Sequence, residues 1–195
     1  MTELAYVAEV WRKLLHLFAL VMPIGYFLAG THIAIPIIAL AFLVSLLVDC
    51  ARLRGWTIQR LWRRWVDPIV RPREIRAFTG ATFILLSAWL CPLFLDLRAA
   101  AAGMTIIILG DTAAALVGRR WGRHRYSGNR SFEGSLAFLG AALIAVWAVP
   151  GIPVVIGVIA AVTATVVEGL STRIDDNLSV PVISGLLIHL LTRIA

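Results

Sequence analysis

Residues Thr105–His124 read "TIIILGDTAAALVGRRWGRH". A run of apolar side chains carries one carboxylate, Asp111, and then gives way to Gly118, Arg119, Arg120, Gly122 and Arg123. As a helix, this stretch sets Asp111 about 10 Å below the basic end, at 1.5 Å per residue. A lipid-facing helix has no use for such an acid, and a soluble one has no use for so much surrounding grease. The fold therefore turns on whether the flanking sequence is also membrane-like.

It is. The chain has 195 residues, 60% of them hydrophobic and 15% charged, with a mean hydropathy of +0.88. Several apolar stretches approach the ~20 residues that carry a helix across a ~30 Å hydrocarbon layer. The expected architecture is all-α: one polytopic membrane domain over 1–195, with seven spans near 13–30, 32–48, 79–96, 99–118, 135–149, 152–170 and 179–194. Short connections at Gly30–Thr31, Asp96–Arg98 and Pro150–Pro153 predict antiparallel hairpins, and the last span is short for a full crossing. The apolar run after Arg12 and Lys13 superficially looks like a leader. A second run follows at once without a clear cleavage site, so the reading is a retained span. Cys50 and Cys91 fall near opposite ends of different spans, which argues against a disulfide.

Arginine and lysine set the expected orientation. Arg12 and Lys13 precede span one. Arg52, Arg54, Arg60, Arg63, Arg64, Arg71, Arg73 and Arg76 lie between spans two and three, and Arg119, Arg120, Arg123, Arg125 and Arg130 between spans four and five. Only Arg98 and Arg193 fall on the other side, so the N-terminus is expected in the cytoplasm, in the cell membrane of a prokaryote. Within the longest loop, Ile58, Leu61, Trp62, Trp65, Val66 and Ile69 recur at three- and four-residue steps. Arginines take the opposite face, which is the pattern of an amphipathic helix lying among anionic headgroups. The net charge of +7 fits that surface or an anionic substrate. Nucleic acid is excluded as a partner, because no reading module remains once the spans are removed.

An ionisable group within a span costs about 2.5–3.5 kcal/mol on insertion scales and is a site candidate by default. On the expected topology Arg12, Lys13, His16, Glu74, Arg76, Asp111, Glu168, Asp175, Asp176 and Asn177 all converge on one membrane face. Carboxylate and amide oxygens are hard ligands suited to Mg²⁺ bridging to phosphates. Guanidiniums and glycine N–H groups suit the phosphates themselves. Each has a plainer alternative. The arginines after Gly118 can serve orientation alone, and Asp111 can pair with Arg12 or Lys13 inside the bundle. Asp175–Asn177 can be a solvated turn, and His16 a packing side chain. There is no Walker-type loop, no legible Ser–His–Asp or Cys–His arrangement, and no zinc spacing.

Four segments, in order, carry a resemblance: "RKLLH" (12–16), "EIRAFTGAT" (74–82), "LGDTAAALVGRRWGRH" with "RSFEGSLAF" (109–138), and "VEGLSTRIDDNLSVP" (167–181). In these the chain resembles the CTP-dependent membrane lipid kinases of dolichol, phytol and diacylglycerol, which are related to the phosphatidate cytidylyltransferases. The resemblance implies phosphoryl transfer from CTP to the hydroxyl of a lipid alcohol, with a divalent metal. It makes Arg12, Lys13, Asp111 and Gly118 the positions expected to be essential. On that basis Asp111, Glu168, Asp175, Asp176 and Asn177 would face Mg²⁺, while Gly118, Arg119, Arg120, Gly122, Arg123, Arg130, Ser131 and Glu133 would face the nucleotide. His16 or a carboxylate would take the hydroxyl proton. One departure is Arg130, where the family commonly has Lys before Ser. The competing readings are a CDP-lipid synthase, attacking the α-phosphate, and an ion-coupled transporter. The cytidylyltransferases are usually longer and carry a C-terminal signature absent here, and a transporter would tend to show repeated halves.

Overall fold

The computed structural model describes residues 3–55, 76–127, 130–171 and 174–195, with side chains from Glu9 onward. The helices in chain order are α1 (Glu3–Phe18), α2 (Val21–Leu28), α3 (Thr31–Leu53), α4 (Gly80–Phe94), α5 (Leu97–Trp121), α6 (Phe132–Trp147), α7 (Val154–Leu170) and α8 (Asp176–Ile194). Between α5 and α6 lie two short antiparallel strands, β1 (Arg125–Ser127) and β2 (Arg130–Ser131). The fold is mostly helical, as expected, and the basic segment after α5 adds only a short hairpin that folds back on itself. The interfacial helix expected near 58–69, and Glu74 with it, lie outside the described residues.

Among the described residues, four helical segments are long and apolar enough to cross a membrane: Glu9–Leu28, Thr31–Leu53, Leu97–Trp121 and Asp176–Ile194. Three further apolar helices, α4, α6 and α7, are shorter. The expected first span is bent into α1 and α2. Pro23 has no N–H to reach back to Ala19, and the Ala19 carbonyl instead accepts from Met22 N at 3.0 Å, a tighter turn that breaks the helix. The last helix is longer than expected, because Asp176 and Asn177 form its first turn. Its 19 residues rise about 28 Å, close to the hydrocarbon thickness.

Helix α5 is the axis of the bundle. It is buried almost continuously from Ala99 to Thr112, which suits a helix apolar on every face. Small residues let its neighbours approach: a Cβ on Gly103 would stand 2.5 Å from the Pro181 carbonyl, and one on Gly185 3.2 Å from the Ala99 carbonyl. Such close backbone contact is how helices gain dispersion energy where lipid supplies no hydrophobic drive. On the periphery, Trp11, Leu14, Leu15 and Phe18 of α1 and Leu40, Leu43 and Leu47 of α3 are exposed, as lipid-facing surfaces should be.

Two prolines within the bundle are answered by hydroxyls. Pro92 cannot donate to the Ala88 carbonyl, which accepts instead from Tyr26 Oη at 2.6 Å. Pro181 leaves the Asn177 carbonyl, which accepts from Ser87 Oγ at 2.7 Å. An unmet carbonyl in hydrocarbon costs several kcal/mol, so these bonds fix α2 to α4 and α4 to α8.

Candidate active site

Glu9, Arg12, Lys13 and His16 recur at three- and four-residue steps and so share one face of α1, opposite its lipid-facing side. That face meets the C-terminal half of α5. Lys13 Nζ pairs with Asp111 Oδ2, and His16 Nε2 lies 3.6 Å from the same oxygen. Lys13 is 2% exposed and Asp111 8%, so the pair is shut inside the protein. About two turns further along α5, Arg119 Nη2 is 2.5 Å from Glu9 Oε2, while Arg12 holds Glu9 Oε1.

A second group forms at the same end from β2, α7 and α8. Arg130 Nε donates to Glu168 Oε1 at 3.0 Å, and its Nη2 donates to the Ser171 carbonyl at 2.7 Å. The same Nη2 stands 3.8 Å from Asp176 Oδ2. Glu168 feels the charge of Arg130 most, then that of Asp176, and that of Asp111 least. Asp175 caps α8, its Oδ1 accepting from Asn177 N at 3.1 Å and Asn177 Nδ2 at 2.8 Å. Asn177 Oδ1 is buried with no hydrogen-bond donor among the described residues.

Of the expected site residues, the structure brings together Arg12, Lys13, His16, Asp111 and Arg119 in one group, and Arg130, Glu168 and Asp176 in another. Arg130 donates to two protein acceptors at once and faces a third charge at 3.8 Å, a task for a planar fork rather than an ammonium. Ser131 is the N-cap of α6, accepting from Gly134 N at 3.1 Å, the usual helix-start bond. Gly122 donates its N–H to the Gly118 carbonyl at 3.1 Å. A Cβ on Gly118 would stand 3.2 Å from Ser131 Oγ, and one on Gly122 only 2.5 Å from it. These glycines let α5 meet the start of α6. Glu133 accepts from His124 N at 3.3 Å and meets the ring Nδ1 at 2.7 Å. The bond from His124 and those from backbone amides hold its carboxyl down at about 2. Arg120, Arg123 and Arg76 are exposed, Arg120 lying 5.6 Å from the Trp121 ring centre. Among the described residues no group of three or more His, Cys, Asp or Glu is arranged to hold a metal by itself.

Two buried acids were missed in the sequence. Glu9 precedes the apolar run, and its signal was the spacing to Arg12, Lys13 and His16. Asp49, 1% exposed, joins α3 to α4. Its Oδ2 accepts from Thr79 N at 2.8 Å, Thr79 Oγ1 at 3.0 Å and Thr82 Oγ1 at 2.7 Å, while its Oδ1 takes Arg52 Nη2 at 3.0 Å. Asp49 and Arg52 stand one turn apart, and Thr79 and Thr82 likewise. The opposite end of the bundle holds a smaller set, with His189 Nδ1 2.8 Å and Arg193 Nε 3.7 Å from Asp96 Oδ2.

The apolar helices and the buried charges at one end define the class: an integral membrane helix bundle with a polar site built into its rim. The chain is 29% identical to CTP-dependent diacylglycerol kinase 1 of Schizosaccharomyces pombe, over 94% of this chain and 93% of that one. It is 31% identical to an uncharacterized protein, RP860, of Rickettsia prowazekii over 89% of each. It is also 39% identical to the phytol kinase of a Synechocystis strain, over 45% of this chain and 42% of that one. No family model and no solved structure matches the chain. The chain belongs to the family of CTP-dependent membrane lipid kinases.

Proposed function

We propose that the protein transfers the γ-phosphoryl group of CTP to the hydroxyl of a membrane lipid alcohol. The observation that carries this reading is the buried contact of Lys13 and Asp111 between α1 and α5, with His16 3.6 Å away and Arg12 and Arg119 a turn or two off. Phosphoryl transfer asks a protein mainly to position the reactants and to stabilise charge. The hydroxyl oxygen forms its bond to the γ-phosphorus as the bond to the β-phosphate oxygen breaks, and CDP leaves with that electron pair. The hydroxyl proton passes to the Asp111–His16 pair. Lys13, Arg12 and Arg119 offset the charge of the phosphates, and Arg130 holds Glu168 and Asp176 in place.

Mg²⁺ fits this donor set through few ligands. It commonly binds one or two protein oxygens and completes its shell with phosphates and water. The buried Asn177 Oδ1 beside the Asp176 carboxylate matches that habit. When bound there, the ion would neutralise phosphate charge.

The seven apolar rods, counting α1 with α2 as one, are read as seven crossings of one membrane domain. The charged rim and the N-terminus then face the cytoplasm, supported by Arg12, Lys13, Arg119, Arg120, Arg123, Arg125 and Arg130 at that end against Arg98 and Arg193 at the other. Trp121 and the exposed Arg120, Arg123 and Arg125 suit anionic headgroups. The lipid alcohol enters sideways from the bilayer.

The test is purified protein in detergent with γ-labelled CTP and a panel of diacylglycerol, phytol and polyprenol. Label in a lipid phosphate, together with CDP, is expected. Label appearing only in pyrophosphate would identify a CDP-lipid synthase instead, and failure to consume CTP with any acceptor would remove the enzyme reading.

A further inference from the structure

Glu9 has no place in the mechanism above, yet it is among the most enclosed acids in the protein. Its side chain is 1% exposed, whereas the side chains of Arg12 and Arg119 that grip it are 23% and 30% exposed. Each carboxylate oxygen holds a different arginine, one from α1 and one from α5. Two guanidiniums brought together from separate helices repel each other unless an anion lies between them, and here the anion is built in.

We infer that Glu9 is a positioning residue that sets Arg12 and Arg119 side by side as a clasp for the phosphate chain of the nucleotide. The inference rests on the CTP-dependent reading given above and assigns that site a further residue. The burial pattern distinguishes a clasp from a plug. A carboxylate occupying the phosphate seat would be the exposed member of the trio, but here it is the covered one. A phosphate therefore meets the outer side of the arginines without displacing Glu9. Guanidiniums ordered in this way suit phosphate oxygens, which they bind in a forked geometry. The neighbouring Lys13–Asp111 contact independently joins α1 to α5, so losing Glu9 disturbs the arginines more than the packing of the helices.

The experiment uses full-length protein in detergent, comparing wild type with Glu9→Gln, Glu9→Asp, Arg119→Gln and the Glu9→Gln/Arg119→Gln double variant. Binding of CTP and of inorganic tripolyphosphate is titrated calorimetrically, and the KM for CTP and kcat are measured separately. Glu9→Gln is expected to weaken both ligands and raise the KM for CTP by about tenfold or more, with kcat within about threefold of wild type. Glu9→Asp should fall in between, and the double variant should bind no worse than Arg119→Gln alone. Unchanged affinity for both probes in folded Glu9→Gln would overturn the clasp. Tighter binding would also overturn it, and would identify Glu9 as a plug. If Glu9→Gln does not fold, Glu9→Asp decides: wild-type affinity for tripolyphosphate in that variant overturns the inference. Wild-type protein whose tripolyphosphate binding depends on Glu9 but which phosphorylates no lipid alcohol would retire the kinase reading and leave the clasp standing.

Discussion

Replacing Asp111 with Asn removes the carboxylate that pairs with the Lys13 ammonium, which is 2% exposed. Breaking a buried ion pair on one side costs roughly 3–5 kcal/mol. The lower end of that range, about 3 kcal/mol, is the smallest loss expected here. In a chain of this length about 3 kcal/mol corresponds to a fall of roughly 6–12 °C in melting temperature. Turnover should fall by about 100-fold or more, as for the loss of a group that handles the transferred proton. Neither figure alone separates a catalytic acid from a structural one. The Lys13→Met/Asp111→Asn double variant does, since it removes both charges together. Its melting temperature in detergent, followed by intrinsic tryptophan fluorescence, should recover at least half of the loss, while CTP consumption stays at the single variant's level. Recovery of turnover along with stability would show that the pair serves packing only. A single variant indistinguishable from wild type in both measurements would refute the assignment of Asp111 altogether.

Ser87→Ala should destabilise the bundle by about 1 kcal/mol, the range measured for interhelical hydrogen bonds in membranes. The same change made in a Pro181→Ala background should be nearly silent, because the alanine N–H then serves the Asn177 carbonyl; equal losses in both backgrounds, in a detergent unfolding titration, would refute the pairing. Arg130→Lys should loosen the junction of α7 and α8, since one ammonium is poorly shaped to reach both Glu168 Oε1 and the Ser171 carbonyl; a cost of roughly 1–2 kcal/mol is expected, and unchanged melting would contradict it. Glu133, held at about 2 against an ordinary 4.5, binds its proton less readily in the folded protein. Its contribution to the hairpin is therefore complete above pH 4.5 and lost as the pH falls through about 2. Hydrogen exchange at Arg125–Ser127, taken relative to Glu133→Gln, should show no loosening between pH 7 and pH 5, and a midpoint near pH 5 would sink the assignment.

The apolar rods were legible because a helix in hydrocarbon must be nearly continuous in composition, and each expected span overlaps an observed helix. Their ends were less so. Pro23 splits the first rod, whereas Pro92 and Pro181 stay within continuous helices, where a hydroxyl from another helix answers the freed carbonyl. Tyr26 does this for Pro92 and Ser87 for Pro181, from helices 62 and 90 residues away in the chain. No local pattern encodes such a distance. The pairing of Lys13 with Asp111 was one of two readings open for that acid, and its partner lies 98 residues off.

Glu9 and Asp49 show the opposite limit. Each stands one turn before an arginine, at the edge of an apolar run, where a charge is ordinary for a helix entering water. Only the packing of α1 on α5, and of α3 on α4, turns those edges into interior. The glycines after Asp111 carry the same lesson in reverse. A glycine invites close approach by anything, a phosphate oxygen or another helix, and its spacing along the chain is alike in both cases. Ser131 Oγ, 3.2 Å from where a Gly118 side chain would begin, shows that one such place is already taken by protein. On the proposed reading, phosphate recognition at this rim would rest on side chains, so nucleotide affinity should respond more to changes in the arginines over Glu9 than to changes in these glycines.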